Sequence, residues 1–421
     1  MNEVSPNKEQ SGVIDHSTGP LLVVAGAGTG KTYVIIEHIN KLLNEGTKPD
    51  NILAVTFTEK AASEMLDRLL EKRQGVLAEL PIMTFNALGN NILSEFGSHI
   101  GLGGNFRLMG EQAQLVFVRE RVDEFKLNYF LPLAGLPDAV LSKILKVFSQ
   151  AKQHLITPEQ YVTFAETLPE SDDAEILDRK MHLELAGAYQ TYIKLCRQSD
   201  VIDYDDQIYL VIELLTKRPN IQKVLQDRFS TIMIDEFQDT NPMQSALIDI
   251  LAGNDPNLIV VGDDDQSIYG FRGATLANIL EFKTRYPKAL EATLTENYRS
   301  GQEILDSAYK LIQNNNPYRL EATLKINKRL KSNSVGQSPI LKRFEIIEHE
   351  LDWLVKDIQK QVEAASGPTG IAVLTRRRQT AKLVHEALEA ANIDHQLIGY
   401  KQDLYSQSVV RTLLEALRTI A

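Results

Sequence analysis

Three short segments carry side chains suited to phosphate chemistry. The first is AGAGTGKT, Ala25 to Thr32. Backbone N–H groups of a glycine-rich turn can point inward around phosphate oxygens, and the helix that follows adds its positive end. Ala25, Gly26, Ala27, Gly28, Thr29, Gly30, Lys31 and Thr32 are therefore expected to bind a nucleotide. Lys31 would reach the outer phosphates, and Thr32 would set its hydroxyl on Mg²⁺. Ala25 stands where the general pattern has its first glycine, which requires only ordinary backbone angles. The second segment is DEFQD (235–239), directly after the apolar run TIMI. Asp235 suits the metal shell, and Glu236 suits orienting and deprotonating a water. Read blandly, the same residues are an acidic turn in which Asp239 and Asn241 cap the next helix. The third is GDDDQSIYGFRGA (262–274). Here Gln266 could report loss of a terminal phosphate, and Tyr269, Phe271 and Arg272 form an aromatic-basic cluster suited to stacking single-stranded bases. Taken alone, such aromatics serve as core, and the triple Asp as a surface loop.

These side chains need a scaffold that brings them to one edge. Five apolar runs, LLVVA (21–25), ILAVTF (52–57), PIMTF (81–85), TIMIDE (231–236) and LIVVGD (258–263), read as parallel strands buried on both faces. Amphipathic helices follow them: Val34, Ile35, His38, Ile39 and Leu42 share one face, as do Ala62, Met65, Leu66, Leu69 and Leu70. Asn241-Pro242 opens another, with Pro where its missing N–H costs nothing. Strand alternating with helix predicts a doubly wound α/β sheet, and ligands in such sheets sit at the carboxyl ends of strands. The gap after the third strand is too long for a loop and carries helical patterns such as Leu141, Ile144, Leu145 and Phe148. A further strand series is expected from Ala289, including PILKRF (339–344) and IAVLT (371–375).

Composition narrows the class. The 421 residues are 43% hydrophobic and 24% charged, enough for two to four cored domains. The net charge of −11 argues against wholesale wrapping of nucleic acid but leaves room for a local basic track. Lys60, Arg68, Lys72 and Arg73 make one candidate patch; Lys325, Lys328, Arg329 and Lys331 a second; Arg376, Arg377 and Arg378 a third. Without a motif each patch reads as a solvated face. The single cysteine, Cys196, lies on an apolar helical stripe and is expected to be a buried thiol in a reducing compartment. No zinc-ligand spacing and no membrane span is read, so a cytoplasmic protein is expected.

Taken together, AGAGTGKT, TFTEKAASEM, DEFQDTNPMQ, GDDDQSIYGFRGA and LTENYRS, in that order and spacing, resemble superfamily-1 DNA helicases of the UvrD, Rep and PcrA type. The resemblance implies a RecA-like P-loop NTPase lobe from 1–90 and 200–285, a helical insertion at 91–199, and a partial second RecA-like lobe at 286–421. It also implies that Gln10 reads adenine, Tyr298 stacks on it, and Arg299 meets the γ-phosphate. The catalytic set would then be Lys31, Asp235, Glu236, Gln266 and Arg299, with Thr32 and Asp235 on the metal. Thr56, Phe57, Lys60, Thr84, Phe85, Tyr269, Phe271 and Arg272 would contact single-stranded DNA. DYDD (203–206) is similar to another family element, with a turn and cap as its bland role.

Four positions depart from the family pattern: Tyr33 for a common Arg, Glu59 for Asn, Asn86 for His and Phe271 for Trp. The segment from IAVLTRRR onward resembles the first half of the family's second lobe, and the sequence stops before the later motifs. The implied activity is an ATP-dependent helicase moving 3′ to 5′ on single-stranded DNA and its junctions with duplex, with partners in repair or replication. The other readings are the helicase subunit of a nuclease-helicase complex and an ATP- and DNA-binding module without unwinding. The 421 residues alone are expected to bind ATP with little or no unwinding.

Overall fold

The structure is a computed structural model; it describes residues 5–73, 80–130, 137–254, 256–270, 273–334, 336–364, 370–398 and six positions between 409 and 417. It divides into two compact units, Met1–Ser338 and Pro339–Ala421. Among the described residues no helix is long and apolar enough to cross a membrane.

The first unit is built on a six-stranded sheet. Its strands are β1 (Leu21–Ala25), β2 (Ile52–Thr56), β3 (Ile82–Thr84), β6 (Thr231–Ile234), β7 (Leu258–Gly262) and β8 (Leu290–Leu294), in the order β3-β2-β6-β7-β1-β8. Every pairing is parallel. All residues of β1, β2, β6 and β7 are buried, which is why their sequences are unbroken apolar runs.

Alternation sorts these strands between two cores. Leu22, Val24, Leu53, Val55, Ile232, Ile234, Leu258 and Val260 pack with α4 (Phe85–Phe96), α9 (Asp206–Lys217), α10 (Pro219–Arg228) and α11 (Pro242–Ala252). Leu21, Val23, Ala25, Ile52, Ala54, Met233, Ile259 and Val261 pack with α1 (Lys8–Ile14), α2 (Lys31–Asn44) and α3 (Glu59–Lys72). Each such Leu, Ile or Val contributes about 1.5–3 kcal/mol on full burial. A helix cap is worth about 1 kcal/mol. The sheet faces therefore decide the fold, and the caps tune it.

The caps are informative all the same. Side chains of Thr58, Thr84 and Asn241 cap α3, α4 and α11, the last in a reciprocal box with Gln244 and with Pro242 in the first turn. Helix α2 alone among these begins at a glycine, Gly30 at φ 92°, with no side-chain cap.

Between β3 and β6 lies the expected helical region: α5 (Glu111–Arg119), α6 (Asp138–Gln153), α7 (Pro158–Thr167) and the 26-residue α8 (Asp173–Gln198). They share a core that includes Phe148, Tyr189, Tyr192 and Cys196. Burial pushes the Cys196 thiol up to about 12, so it is inert, as its apolar stripe predicts. Two parallel two-residue strands, β4 (Arg107–Leu108) and β5 (Val201–Ile202), were not expected.

Two strand expectations are corrected. Leu290–Leu294 does not open a new sheet; it pairs with β1 as the edge of the first one, register Leu21↔Leu290 to Ala25↔Leu294. Short helices α12 (Ala277–Leu280) and α13 (Phe282–Arg285) precede it, and α14 (Gln302–Ile312) and α15 (Leu320–Thr323) follow within the same unit. In the second unit, 339–344 and 371–375 are not strands. A strand needs a neighbour to take its backbone hydrogen bonds, and none is found for them among the described residues. That unit is formed by α16 (Ile347–Ala364) and α17 (Arg378–Ala390), joined through Ile358, Val384 and Leu388.

Candidate nucleotide site and nucleic-acid surface

Three neighbouring strands, β6, β7 and β1, end side by side, and each hands a functional side chain to the same point. From the start of α2, Lys31 Nζ lies 2.7 Å from Glu236 Oε2, beyond β6, and donates to Gln266 Oε1 beyond β7 at 3.1 Å. Thr32 Oγ1 donates to Asp235 Oδ2 at 3.4 Å. Burial, and then the charge of Glu236, pushes the Asp235 carboxyl up to about 6. A buried carboxyl beside a second carboxylate is what a divalent cation relieves. Thr32 and Asp235 thus fit a metal in position and in chemistry.

The loop itself is shaped by glycines at two points. Gly28 (φ 74°) could not carry a side chain, since a Cβ there would lie 2.6 Å from Arg299 Cβ and 2.7 Å from Asn297 Nδ2. Gly30 (φ 92°) would meet Gln10 Nε2 at 2.9 Å. Both are also left-handed, a conformation that only glycine adopts without cost. Glu236 carries strain of the same kind without being glycine: φ 51°, ψ 46°. A left-handed residue of this type costs about 1–2 kcal/mol and is typical of sites where the backbone must aim a side chain.

Sequence reasoning missed two residues that hold this geometry. Gln238, 1% exposed, donates to Glu236 Oε2 at 2.7 Å and accepts from the Asp263 N–H at 2.9 Å, tying the ends of β6 and β7 together. Asn297 donates through Nδ2 to Ala27 O, while its Oδ1 accepts from the N–H groups of Arg299 and Ser300 at 2.9 and 2.8 Å. The Tyr298 N–H completes the clasp on Gly28 O at 2.9 Å. Gln238 sits inside DEFQD and Asn297 inside LTENYRS, so the motifs contain the signal although neither side chain was assigned a task.

Gln10 and Tyr298, expected at adenine, are both anchored by hydrogen bonds to their surroundings. Gln10 Nε2 donates to Thr29 O at 3.0 Å, and its Oε1 accepts from the Asn7 N–H at 3.0 Å within the capping box of α1. An amide has two hydrogens and two lone pairs. One of each is spent here on holding the side chain, and one of each remains for a base edge. Tyr298, half exposed, accepts from Asn7 Nδ2 at 2.8 Å, which anchors its ring beside α1. Arg299 is exposed against the loop, with no ion pair among the described residues.

Of the expected DNA contacts, Phe57 and Tyr269 are brought together with ring centroids 4.9 Å apart and an interplanar angle of 37°. Lys60 is exposed nearby in sequence at the start of α3. Thr56 is buried and donates to Thr58 O at 3.1 Å. Thr84 caps α4 and donates to Glu59 Oε1 at 2.7 Å. Phe85 is 4% exposed and belongs to the core beneath α4, so its ring is not offered to a base; it is corrected to a packing residue. Phe271 and Arg272 lie outside the described residues. Two departures from the family pattern have internal partners: Glu59 takes the Thr84 hydroxyl, and Asn86 donates to Tyr204 O at 3.1 Å and Gln207 Oε1 at 3.0 Å. The Tyr33 ring lies 5.7 Å from Lys72 Nζ.

DYDD proves to be more than a turn. Lys152 Nζ, on α6, lies 2.6 Å from Asp203 and 2.7 Å from Asp206, all three buried. Tyr192 and Gln114 donate to the same Asp203 oxygen, and Ser149 and Gln153 donate to Asp205. This cluster fastens the helical insertion to α9. The patch residue Lys328, expected on a solvated face, is likewise buried, among Asp263, Asp264 and Asp265.

The chain matches two family models: the UvrD/REP helicase N-terminal domain over residues 6–287 and the UvrD-like helicase C-terminal domain over 292–421. Similar proteins include the ATP-dependent DNA helicase PcrA of Leuconostoc citreum, 34% identical over 399 residues (93% of this chain, 50% of the relative). The PcrA of Staphylococcus epidermidis is 32% identical over 422 residues (99% and 54%), and that of Staphylococcus aureus 32% over 423 (99% and 53%). The chain therefore spans about half the length of the curated relatives it matches. With a glycine loop, an acidic strand end and a glutamine-bearing strand end meeting on one parallel sheet, and with matches over nearly all its residues, the chain belongs to the UvrD/REP helicase family.

Proposed function

We propose that this chain supplies the ATP-hydrolysing motor of a DNA helicase, moving 3′ to 5′ on single-stranded DNA and its junctions with duplex during repair or replication in the cytoplasm. The observation that carries this reading is the meeting of Lys31, Glu236 and Gln266 at one sheet edge. The Phe57–Tyr269 pair borders the same sheet, after β2 and after β7. The lobe arrangement goes with it: a split first lobe at 1–90 and 200–285 whose sheet β8 completes, an insertion at 91–199, and a second lobe that begins after β8.

ATP is the substrate in this reading. Mg²⁺, held by Thr32 and Asp235, would neutralise charge on the phosphates. Lys31 exchanges its carboxylate and amide partners for phosphate oxygens. Glu236, freed from Lys31 but still held by Gln238, orients and deprotonates the water. Gln266 reports the state of the terminal phosphate, and Arg299 adds positive charge to it. Gln10 and Tyr298 select adenine. Phe57, Tyr269, Lys60, Phe271 and Arg272 form the track for single-stranded DNA, with Thr56 and Thr84 fixing the strand ends beneath it.

The test is steady-state ATP hydrolysis by the purified chain with and without single-stranded DNA. Stimulation by single strands well above that by duplex of the same length is expected. Turnover indifferent to DNA would overturn the motor reading.

A further inference from the structure

The first unit contains a second charged cluster behind the nucleotide site. Lys328 Nζ lies 2.6 Å from Asp263 Oδ1 and 2.8 Å from Asp265 Oδ2, and it also contacts Asp264. Arg319 grips Asp265 with two parallel bonds of 2.7 and 2.6 Å, and the Leu320 N–H donates to Asp264 at 2.8 Å. All three Asp residues follow β7, whereas Arg319 and Lys328 come from a segment more than fifty residues later. The acidic cluster is thus largely offset by these two cations: despite burial, which alone would lower it, the three carboxylates hold the Lys328 ammonium above its ordinary value.

What matters is the connection forward. Asp263 uses one oxygen for Lys328 and the other to accept from Gln266 Nε2 at 2.7 Å. Gln266 in turn presents Oε1 to Lys31 at 3.1 Å. An unbroken path of charge-assisted bonds therefore runs Lys328–Asp263–Gln266–Lys31. Its middle link fixes which end of the Gln266 amide faces the phosphate side, because an anionic acceptor admits only the NH₂ group. The Lys328 segment also touches the loop directly: a Cβ on Gly26 would lie 2.8 Å from Leu330 Cδ2. Lys331 exchanges backbone bonds with Thr295 and Asn297, the clasp on Ala27.

We propose that Lys328 is a positioning residue for ATP hydrolysis, acting through Asp263 to hold Gln266 in the orientation that senses the terminal phosphate. The inference rests on the nucleotide-site reading above. Without the ammonium, Asp263 and Asp264 face each other with no cation between them, since Arg319 grips only Asp265. Asp263 then turns away, and Gln266 loses the acceptor that orients it.

The experiment is a double-substitution cycle on the full chain with Lys328→Met, Gln266→Ala and both together. It reads two quantities: the ratio of affinities for a non-hydrolysable ATP analogue and for ADP, and kcat and KM for ATP. Lys328→Met is expected to lower kcat about tenfold with KM changed less than about threefold, and to compress the affinity ratio as Gln266→Ala does. The double variant should be no worse than Gln266→Ala alone, since coupled sites are non-additive. Lys328→Arg, which keeps the charge, should recover most of the loss. If Lys328→Met does not fold, Lys328→Met with Asp264→Asn restores the local charge balance and carries the same test.

Losses that simply add in the double variant, or an affinity ratio untouched by Lys328→Met while Gln266→Ala compresses it, would overturn the inference alone. If the unsubstituted chain binds neither nucleotide and Lys31→Ala changes nothing, the nucleotide-site reading falls and this inference with it.

Discussion

Lys31 and Lys152 are both buried lysines paired with carboxylates, yet the two sites differ in what surrounds the pair. Lys31 has one carboxylate, Glu236, whose side chain is 36% exposed, and one neutral amide, Gln266. Its partners stand on different strand ends with an uncapped helix beside them, so incoming phosphate oxygens can replace them. Lys152 is fully enclosed, with two carboxylates exposed by less than a tenth and the Tyr192 ring 5.0 Å away. The charges of Asp203 and Asp206 outweigh the burial that would lower it and hold its ammonium far above the ordinary lysine range. No ligand can reach it. Burial of a charge is common to both sites; only Lys31 has partners that a ligand could replace.

The largest effect expected from breaking this comparison is on the closed site. Lys152→Met leaves Asp203 and Asp206 buried without a counter-charge, which should cost about 3–5 kcal/mol in chemical denaturation. Nucleotide affinity of the folded fraction should be unchanged, and a variant that lost ATP binding while remaining folded would blur the distinction. The open site should respond to pH instead. The raised Asp235 carboxyl contributes stability below the ordinary Asp range and loses it as pH rises through about 6, where the metal-free protein must ionise it. Asp235→Asn should therefore stabilise the metal-free chain by about 2 kcal/mol at pH 8 and by little at pH 4. Equal melting shifts at both pH values would contradict that. A smaller change is expected on the DNA side, where Phe57→Ala removes one ring of the pair with Tyr269. It should weaken single-strand binding by about 1–2 kcal/mol with little dependence on sequence; unchanged affinity in a fluorescence titration would remove Phe57 from the track.

The open site was legible in the sequence and the closed one was not. Glycines forced into left-handed angles, an Asp-Glu pair ending an apolar run, and Gln266 after another such run are local signals, and the structure brings them together at one edge. The sheet's central strands were legible because burial on both faces leaves no charged residue in them. β8 was misassigned because its half-exposed sequence says nothing about which sheet it joins; that depends on pairing with β1, far away in the chain. Gln238, Asn297 and Lys328 act through contacts between 2 and 270 residues distant, and their types alone resemble ordinary turn or surface residues. For Lys152 a signal did exist. It continues the stripe Leu141, Leu145, Phe148 at helical spacing, and a lysine in that position demands buried acids. DYDD was the place to look for them.

The central claim is that Lys31 and Glu236 form an exchangeable pair that serves nucleotide chemistry. It is tested most directly by ATP turnover and ATP affinity of Glu236→Gln measured side by side, with Lys31→Ala as the companion. Turnover lower by about 10²–10³-fold, with ATP still bound within about fivefold of the unsubstituted chain, is the predicted result for Glu236→Gln. Turnover unchanged by either substitution would contradict the account.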